Sequence, residues 1–149
     1  MRFADVEWRL VEAMTVLMRS RDRERRWIGS ARSSVWQMCV DDWDIAQRDD
    51  RPIVTCAFTR QQQDLAAEAL EWVAAWVPAG DTRRVLSLGL QDRMYALDTR
   101  CRSVRIEWTW VWGQMGGKAG KWTTDALRMR YNRAITMICE RLNARVYAE

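Results

Sequence analysis

W-T-T-D-A-L-R-M-R-Y-N-R-A-I-T-M-I-C-E-R-L-N-A-R, residues 122–145, is the segment on which the predicted fold depends. Its apolar residues recur at intervals of three and four and so share one helical face: Leu127, Tyr131, Ala134, Ile135, Ile138 and Leu142. Four arginines lie off that stripe: Arg128, Arg130, Arg133 and Arg141. Thr123 is suited to cap the helix, with Asp125 in its first turn. The pattern predicts a long amphipathic helix with arginines on its free face.

The segment immediately upstream predicts a shorter partner helix. Residues 108–115 form a second amphipathic stretch, and the Gly- and Lys-rich turn G-G-K-A-G-K follows at 116–121. A helix, a turn containing glycine and a longer helix with a basic free face are typical of a helix-turn-helix. We therefore expect the C-terminal third to bind double-stranded DNA.

The charge distribution supports an anionic partner for the same third. The 149-residue chain has a formal net charge of +4. Residues 100–149 hold ten Lys or Arg against four Asp or Glu, whereas residues 1–99 hold fourteen against sixteen. Local charges of +6 and −2 predict that an anion binds the C-terminal part. The alternative is a general preference for arginine, which supplies 22 of the 24 basic residues.

Composition argues against membrane, zinc and enzyme classes. No apolar run reaches the roughly 18 residues of a spanning helix, and no signal-peptide pattern is present, so no membrane partner is expected. The four cysteines lie far apart without a C-x-x-C pair, and the sequence has no histidine. We expect free thiols in a reducing cytosol, no metal and no cofactor.

No catalytic residues are predicted. Without histidine, nucleophile elbows or usefully spaced carboxylates, no general acid-base system can be assembled. The 116–121 turn lacks the spacing of a phosphate-binding loop. The sequence therefore predicts a protein that is not an enzyme.

The remaining pattern predicts an all-α fold. Helices are expected at 4–19, 35–47, 60–77 and, after a cap at Asp81, to Leu90, with a turn or frayed helix at 91–103. Strand content is expected only at 53–58 or 103–112, where helix and strand patterns both fit and helix is favoured. We expect a helical body at 1–78, for oligomerisation or partner binding, and a helix-turn-helix module at 79–149.

The predicted DNA contacts follow from the roles of the two helices. Lys118 and Lys121 are expected on phosphates, and Trp122 is a candidate for stacking on a base. The first positions of the second helix are expected at base edges: Thr123, Thr124, Asp125 and Arg128. Arg128 is the expected reader of guanine, and Arg130 and Arg133 are assigned to phosphates. The alternative is that these arginines only form a solvated face.

Three motifs carry a resemblance to known proteins: E-A-L-E-W-V-A-A-W-V-P at 68–78, W-T-W-V-W-G-Q-M-G at 108–116 and A-L-R-M-R-Y-N-R-A-I-T-M-I-C-E-R-L-N at 126–143. With these motifs the chain resembles a small family of uncharacterised prophage proteins of proteobacteria. Residues 108–142 are also similar to the helix-turn-helix of sigma-factor region four. The turn here is about five residues longer, and residues 91–103 look inserted.

The resemblance implies a phage-type transcription regulator in the cytoplasm of a bacterial host, associated with the nucleoid. RNA polymerase would then be a second partner, as for a late-gene activator or antiterminator, and a homo-oligomer is left open. The first alternative is a DNA-packaging protein like the phage small terminase. That class usually carries its motif near the N-terminus, the reverse of the order here. The second alternative is a purely helical protein-interaction domain.

Overall fold

The computed structural model describes residues 1–20, 56–98 and 105–147. These ranges hold five α-helices: α1 (Phe3–Arg19), α2 (Arg60–Trp76), α3 (Asp81–Asp98), α4 (Trp108–Gln114) and α5 (Thr124–Val146). A single 3₁₀ turn, Gly117–Ala119, lies between α4 and α5. Across these ranges no strand is formed, and the predicted all-α fold is confirmed.

Helix α5 is the centre of the fold, because it packs against each of the other four helices. Its N-cap is Thr123, whose hydroxyl accepts a hydrogen bond from the amide of Ala126 at 3.2 Å. The predicted apolar stripe is buried from Leu127 to Ile138, and Leu142 is partly buried. Apolar spacing and the threonine cap thus predicted both ends of this helix within about two residues.

Helices α1 and α2 also match their predicted ranges. Thr59 caps α2 through a reciprocal pair: its hydroxyl accepts from the amide of Gln62 at 3.2 Å, and its own amide donates to Gln62 Oε1 at 2.9 Å. Two such bonds satisfy amides that the first turn of a helix leaves unpaired. The two helices pack on one another, and both contribute to the hydrophobic core, α1 with Leu10 and Leu17 among others and α2 with Leu70 and Val73 among others.

Helix α3 is longer than predicted. A turn or frayed helix was expected from residue 91 onwards. That prediction is wrong for residues 91–98, because α3 continues to Asp98. The pattern weakens there because Gln91 and Asp92 are polar, yet both are buried. Gln91 Nε2 donates to Ser87 Oγ at 3.1 Å, and Asp92 Oδ2 accepts from the amide of Glu107 at 2.7 Å. Hydrogen bonds inside the fold therefore let polar residues occupy core positions.

In the ambiguous segment at 103–112, residues 108–112 are helical, and residues 105–107 form neither helix nor strand. Helix α4 begins at Trp108, and Val111 is its fully buried residue. The ring of Trp108 meets the ring of Tyr131 edge-on, with centroids 5.5 Å apart. Packing of α4 on α5 thus favours helix over the alternating strand pattern.

A buried polar cluster joins α1, α3 and α5. Glu7 of α1 is buried although its side chain is acidic. Its Oε1 accepts hydrogen bonds from Tyr131 Oη and from Arg93 Nη1, both at 2.8 Å. Burial, followed by the negative charge of Glu7, raises the pKa of Tyr131 well above its ordinary value. The phenol therefore remains a donor to the carboxylate at neutral pH.

One hydrophobic core includes residues from all five helices. Val77 and Val85, on either side of the predicted boundary at residue 78, both belong to it. The division into a body at 1–78 and a module at 79–149 stays a prediction. None of the described helices has both the length and the hydropathy that crossing a membrane requires.

Several predicted features lie outside the described residues, among them the helix at 35–47 and the turn at 99–103. Cys39 and Cys101 also lie there, so only two cysteines are described. Cys56 and Cys139 are free thiols, and burial raises the pKa of Cys139.

Candidate nucleic-acid interface

The turn between α4 and α5 depends on its glycines. Gly116 and Gly117 have φ values of 105° and 53°, a region that residues with a side chain rarely adopt. A Cβ atom on Gly120 would lie 2.8 Å from the carbonyl oxygen of Met115. The turn is closed at its far end by Trp112, whose Nε1 donates to the carbonyl of Trp122 at 2.8 Å. These constraints hold Lys118 and Lys121 at fixed backbone positions on the surface.

The α4–turn–α5 unit has a longer connection than the usual helix-turn-helix. Residues 115–123 separate the two helices, against the three or four residues typical of the motif. The sequence analysis likewise found a turn about five residues longer than that of sigma-factor region four. The 3₁₀ turn at Gly117–Ala119 takes up part of the extra length.

Lys121 is paired with an acidic side chain at the start of α3. Its Nζ lies 3.0 Å from Asp81 Oδ2, with the two side chains 72% and 40% exposed. The hydrogen bond from Lys121 holds the pKa of Asp81 below its usual value, and the charges of Lys121 and Arg130 act in the same direction. A phosphate that binds Lys121 would therefore compete with Asp81 for its ammonium group. Lys118, like Lys121, is exposed.

Arg130 and Trp122 form a contact within the protein. The Arg130 guanidinium carbon lies 4.0 Å from the centroid of the Trp122 ring, and its Nη1 donates to Thr82 Oγ1 at 3.0 Å. Lys121 Nζ lies 5.0 Å from the same centroid. Arg130 therefore holds the turn against α3. Both groups thus have partners within the protein, and the assignments of Arg130 to phosphates and of Trp122 to base stacking stay predictions.

The start of α5 presents fewer free groups than its sequence suggests. Thr123 uses its hydroxyl as the helix cap, and Thr124 is half-buried. Asp125 and Arg128 are exposed by 79% and 57%, and Arg128 Nη2 lies 3.0 Å from Asp125 Oδ1. Thr123 is exposed as well, but its hydroxyl is used in the cap, so Asp125 and Arg128 are the exposed side chains that take no part in capping.

The outer face of α5, meaning its exposed positions 125, 128, 129, 132, 133 and 136, includes residues that the sequence analysis missed. Met129, Asn132 and Thr136 lie there beside Arg128 and Arg133. At about 100° per residue, the two arginines lie about 140° apart around the helix, on opposite sides of this face. The sequence could have identified Met129, Asn132 and Thr136, because they lie opposite the apolar stripe of the helix.

The charges around the turn and the outer face are predominantly positive. Four basic side chains are exposed there: Lys118, Lys121, Arg128 and Arg133. Asp81 and Asp125 are the acidic side chains described beside them, which leaves a net charge of +2. The arrangement suits an extended anion that contacts both the turn and the first three turns of α5.

The resemblance to prophage proteins and to sigma-factor region four stays a prediction. No protein-family model, curated protein or solved structure matches this chain.

Proposed function

We propose that this protein binds double-stranded DNA, with the first half of α5 in the major groove. The observation that carries the proposal is the outer face of α5, which is exposed, polar except for Met129, and has an arginine on each side. The inner face of the same helix is committed to the core, so the helix is held rigidly while its outer face stays available. A helix of about 10–12 Å diameter fits a major groove about 12 Å wide.

The proposed contacts divide by position. Arg128, in the second turn of α5, is the reader of guanine, because N-terminal residues of a recognition helix reach base edges. Arg133, further along and on the opposite flank, contacts a phosphate, and Lys118 and Lys121 contact phosphates from the turn. Backbone contacts of this kind set affinity and position, whereas base contacts set sequence preference.

The ion pair between Arg128 and Asp125 is compatible with this role. Both side chains are more than half exposed, and exposed pairs are worth about 0–1 kcal/mol. Arg128 therefore leaves Asp125 at small cost when a base edge becomes available. Asp125 lowers the affinity for DNA and disfavours sites where Arg128 finds no guanine.

The biological setting of DNA binding is a further proposal that rests on the resemblance alone. A regulator acting with RNA polymerase would be a monomer or dimer, and a packaging protein would form a ring of eight or more copies. The mass of the native protein in solution separates the two.

The salt dependence of duplex binding tests the proposal. A protein that neutralises Z phosphates shows a slope of about −0.9Z in a plot of log K against log salt concentration. Arg133→Ala is expected to flatten that slope by about 0.9 and to weaken binding to every duplex alike. Arg141→Ala is the matched control, because it removes an exposed arginine from the same helix about 12 Å further along.

Arg141 lies further from Arg133 than the Debye length, which is about 10 Å at 0.1 M salt. The salt slope of the Arg141→Ala variant is therefore expected to equal that of the parent. Equal slopes for the parent and both variants would contradict the proposal. So would a parent protein that binds no duplex at low salt.

A further inference from the structure

Between its two arginines the outer face of α5 carries Asp125, Thr136 and two further side chains that the proposed phosphate contacts leave unused. Met129 is 53% exposed, a large exposure for an apolar side chain on a helix. Asn132 is exposed, and its amide forms no hydrogen bond with any other described residue. Neither side chain contributes to the described core. Both are therefore available to a ligand without any rearrangement of the fold.

Helical geometry places these two side chains between the arginines. Asn132 lies about 40° from Arg128, and Met129 lies about 40° from Arg133 on the other side. If the arginines face the two walls of a groove, Met129 and Asn132 face its floor. They are separated by three positions, so their Cβ atoms lie about 5–6 Å apart and the side chains reach the same or adjacent base pairs.

The chemistry of the two side chains matches one kind of base pair. An asparagine amide can accept a hydrogen bond from N6 of adenine and donate one to N7 of the same base, whereas apolar groups pack against the thymine methyl. An A·T pair shows both features in the major groove, and a G·C pair shows neither. The pairing of an amide with an apolar group thus selects A·T steps.

We infer that Asn132 and Met129 read an A·T step, with adenine under Asn132 and a thymine methyl under Met129. This inference rests on the proposed function and adds the base preference of the same helix. It also places the step beside the guanine assigned to Arg128, because Asn132 follows Arg128 by about one turn.

Modified DNA tests the inference on the unaltered protein. The full chain first selects its preferred site from a library of random duplexes. Each thymine of that site is then replaced in turn by deoxyuridine, which lacks only the methyl group. Loss of one packed methyl is expected to weaken the parent about fourfold at a single position. Met129→Ala is expected to bind the thymine and uridine duplexes equally.

The amide is tested in parallel with an adenine analogue in which carbon replaces N7. At one position this analogue and Asn132→Ala are each expected to weaken binding by about 5- to 150-fold, and their combination by no more than either alone. Arg141→Ala is the control and is expected to keep the full response to both modified bases.

The outcomes separate this inference from the proposal beneath it. A parent that binds a selected site but ignores both modified bases overturns the inference and leaves DNA binding by α5 intact. The same holds if Met129→Ala and Asn132→Ala respond to the modifications as the parent does. A parent that binds no duplex overturns both the inference and the proposed function.

Discussion

Tyr131 and Arg128 lie three residues apart on α5, and each pairs with an acidic side chain at nearly the same distance. Tyr131 Oη donates to Glu7 Oε1 at 2.8 Å in the core, and Arg128 Nη2 lies 3.0 Å from Asp125 Oδ1 in solvent. The inner pair joins a neutral phenol to a residue 124 positions away and the outer pair joins two charged groups three positions apart, but the difference that matters for stability is burial. In the core, losing one partner leaves the other without water to replace it, whereas at the surface water replaces it at once. On the inner face of α5 a lost hydrogen-bond partner is not replaced, and on the outer face water replaces it.

The largest expected effect comes from breaking the inner pair. Glu7→Ala leaves the Tyr131 hydroxyl and the Arg93 guanidinium without their acceptor, so we expect the free energy of unfolding to fall by about 3 kcal/mol. Urea unfolding measures the change. Glu12→Ala is the control on the same helix, because Glu12 is exposed, and we expect it to cost less than about 1 kcal/mol. Equal losses in the two variants would show that burial of Glu7 does not matter.

A smaller effect is expected where α3 meets the Tyr131 ring. A Cβ atom on Gly89 would lie 2.7 Å from Tyr131 Cε2, and that ring is buried and hydrogen-bonded to Glu7. We expect Gly89→Ala to lower the free energy of unfolding by about 1–3 kcal/mol through overpacking. Gly113→Ala is the control, because the added Cβ meets no atom within 4 Å.

The Gly113 variant is expected to gain up to about 1 kcal/mol, since alanine favours helix. Thermal unfolding ranks both variants against the parent. A Gly89 variant as stable as the parent would mean that the Tyr131 ring has room to move.

The pair between Lys121 and Asp81 is expected to act mainly at low pH. The folded-state pKa of Asp81 is lowered by Lys121, so this pair stabilises the protein above the ordinary aspartate pKa. That stabilisation is lost as pH falls through the lowered pKa. Both side chains are exposed, so the contribution to stability is below about 1 kcal/mol.

Carboxyl NMR titration measures this effect directly. Lys121→Ala should raise the pKa of Asp81, and Lys118→Ala should leave it as in the parent. If both substitutions leave the pKa of Asp81 as it is, Lys121 is not its partner in solution.

The smallest effect on stability is expected from the outer pair. Asp125→Asn removes the ion pair with Arg128 and a favourable charge in the first turn of α5, at a cost of about 0.5 kcal/mol. The same change should strengthen duplex binding, because it frees Arg128 and removes a negative charge that would face DNA. Urea unfolding and duplex titration together test this. Weaker binding by the variant would assign Asp125 a direct contact.

The same contrast explains what the sequence could and could not predict. Apolar spacing predicted the inner face of α5, because burial of that stripe is the main force on the helix. Thr123 could be recognised as its cap from residue type alone. The contacts of Arg130 with Trp122 and Thr82 were not predicted, since the sequence analysis grouped Arg130 with the arginines of the free face. An arginine that stacks on Trp122 looks the same in sequence as one that faces solvent.

Buried polar groups caused the other errors. Glu7, Gln91 and Asp92 are buried, and periodicity counts any polar residue as exposed. Glu7 and Asp92 bond partners distant in sequence, Tyr131 and the amide of Glu107, whereas Gln91 bonds Ser87 one helical turn away. The pairing of distant residues is not encoded in local spacing. The helix that continued past residue 91 was missed for this reason.

The glycine turn before α5 has a consequence for how the protein can diverge. Side chains are excluded at Gly116, Gly117 and Gly120 by backbone angle or by contact, so mutations there disturb the path of the chain. Positions 118, 119 and 121 are exposed, so changes there alter charge and leave the path intact. Related sequences can therefore vary their affinity for an anionic partner while α5 keeps its orientation.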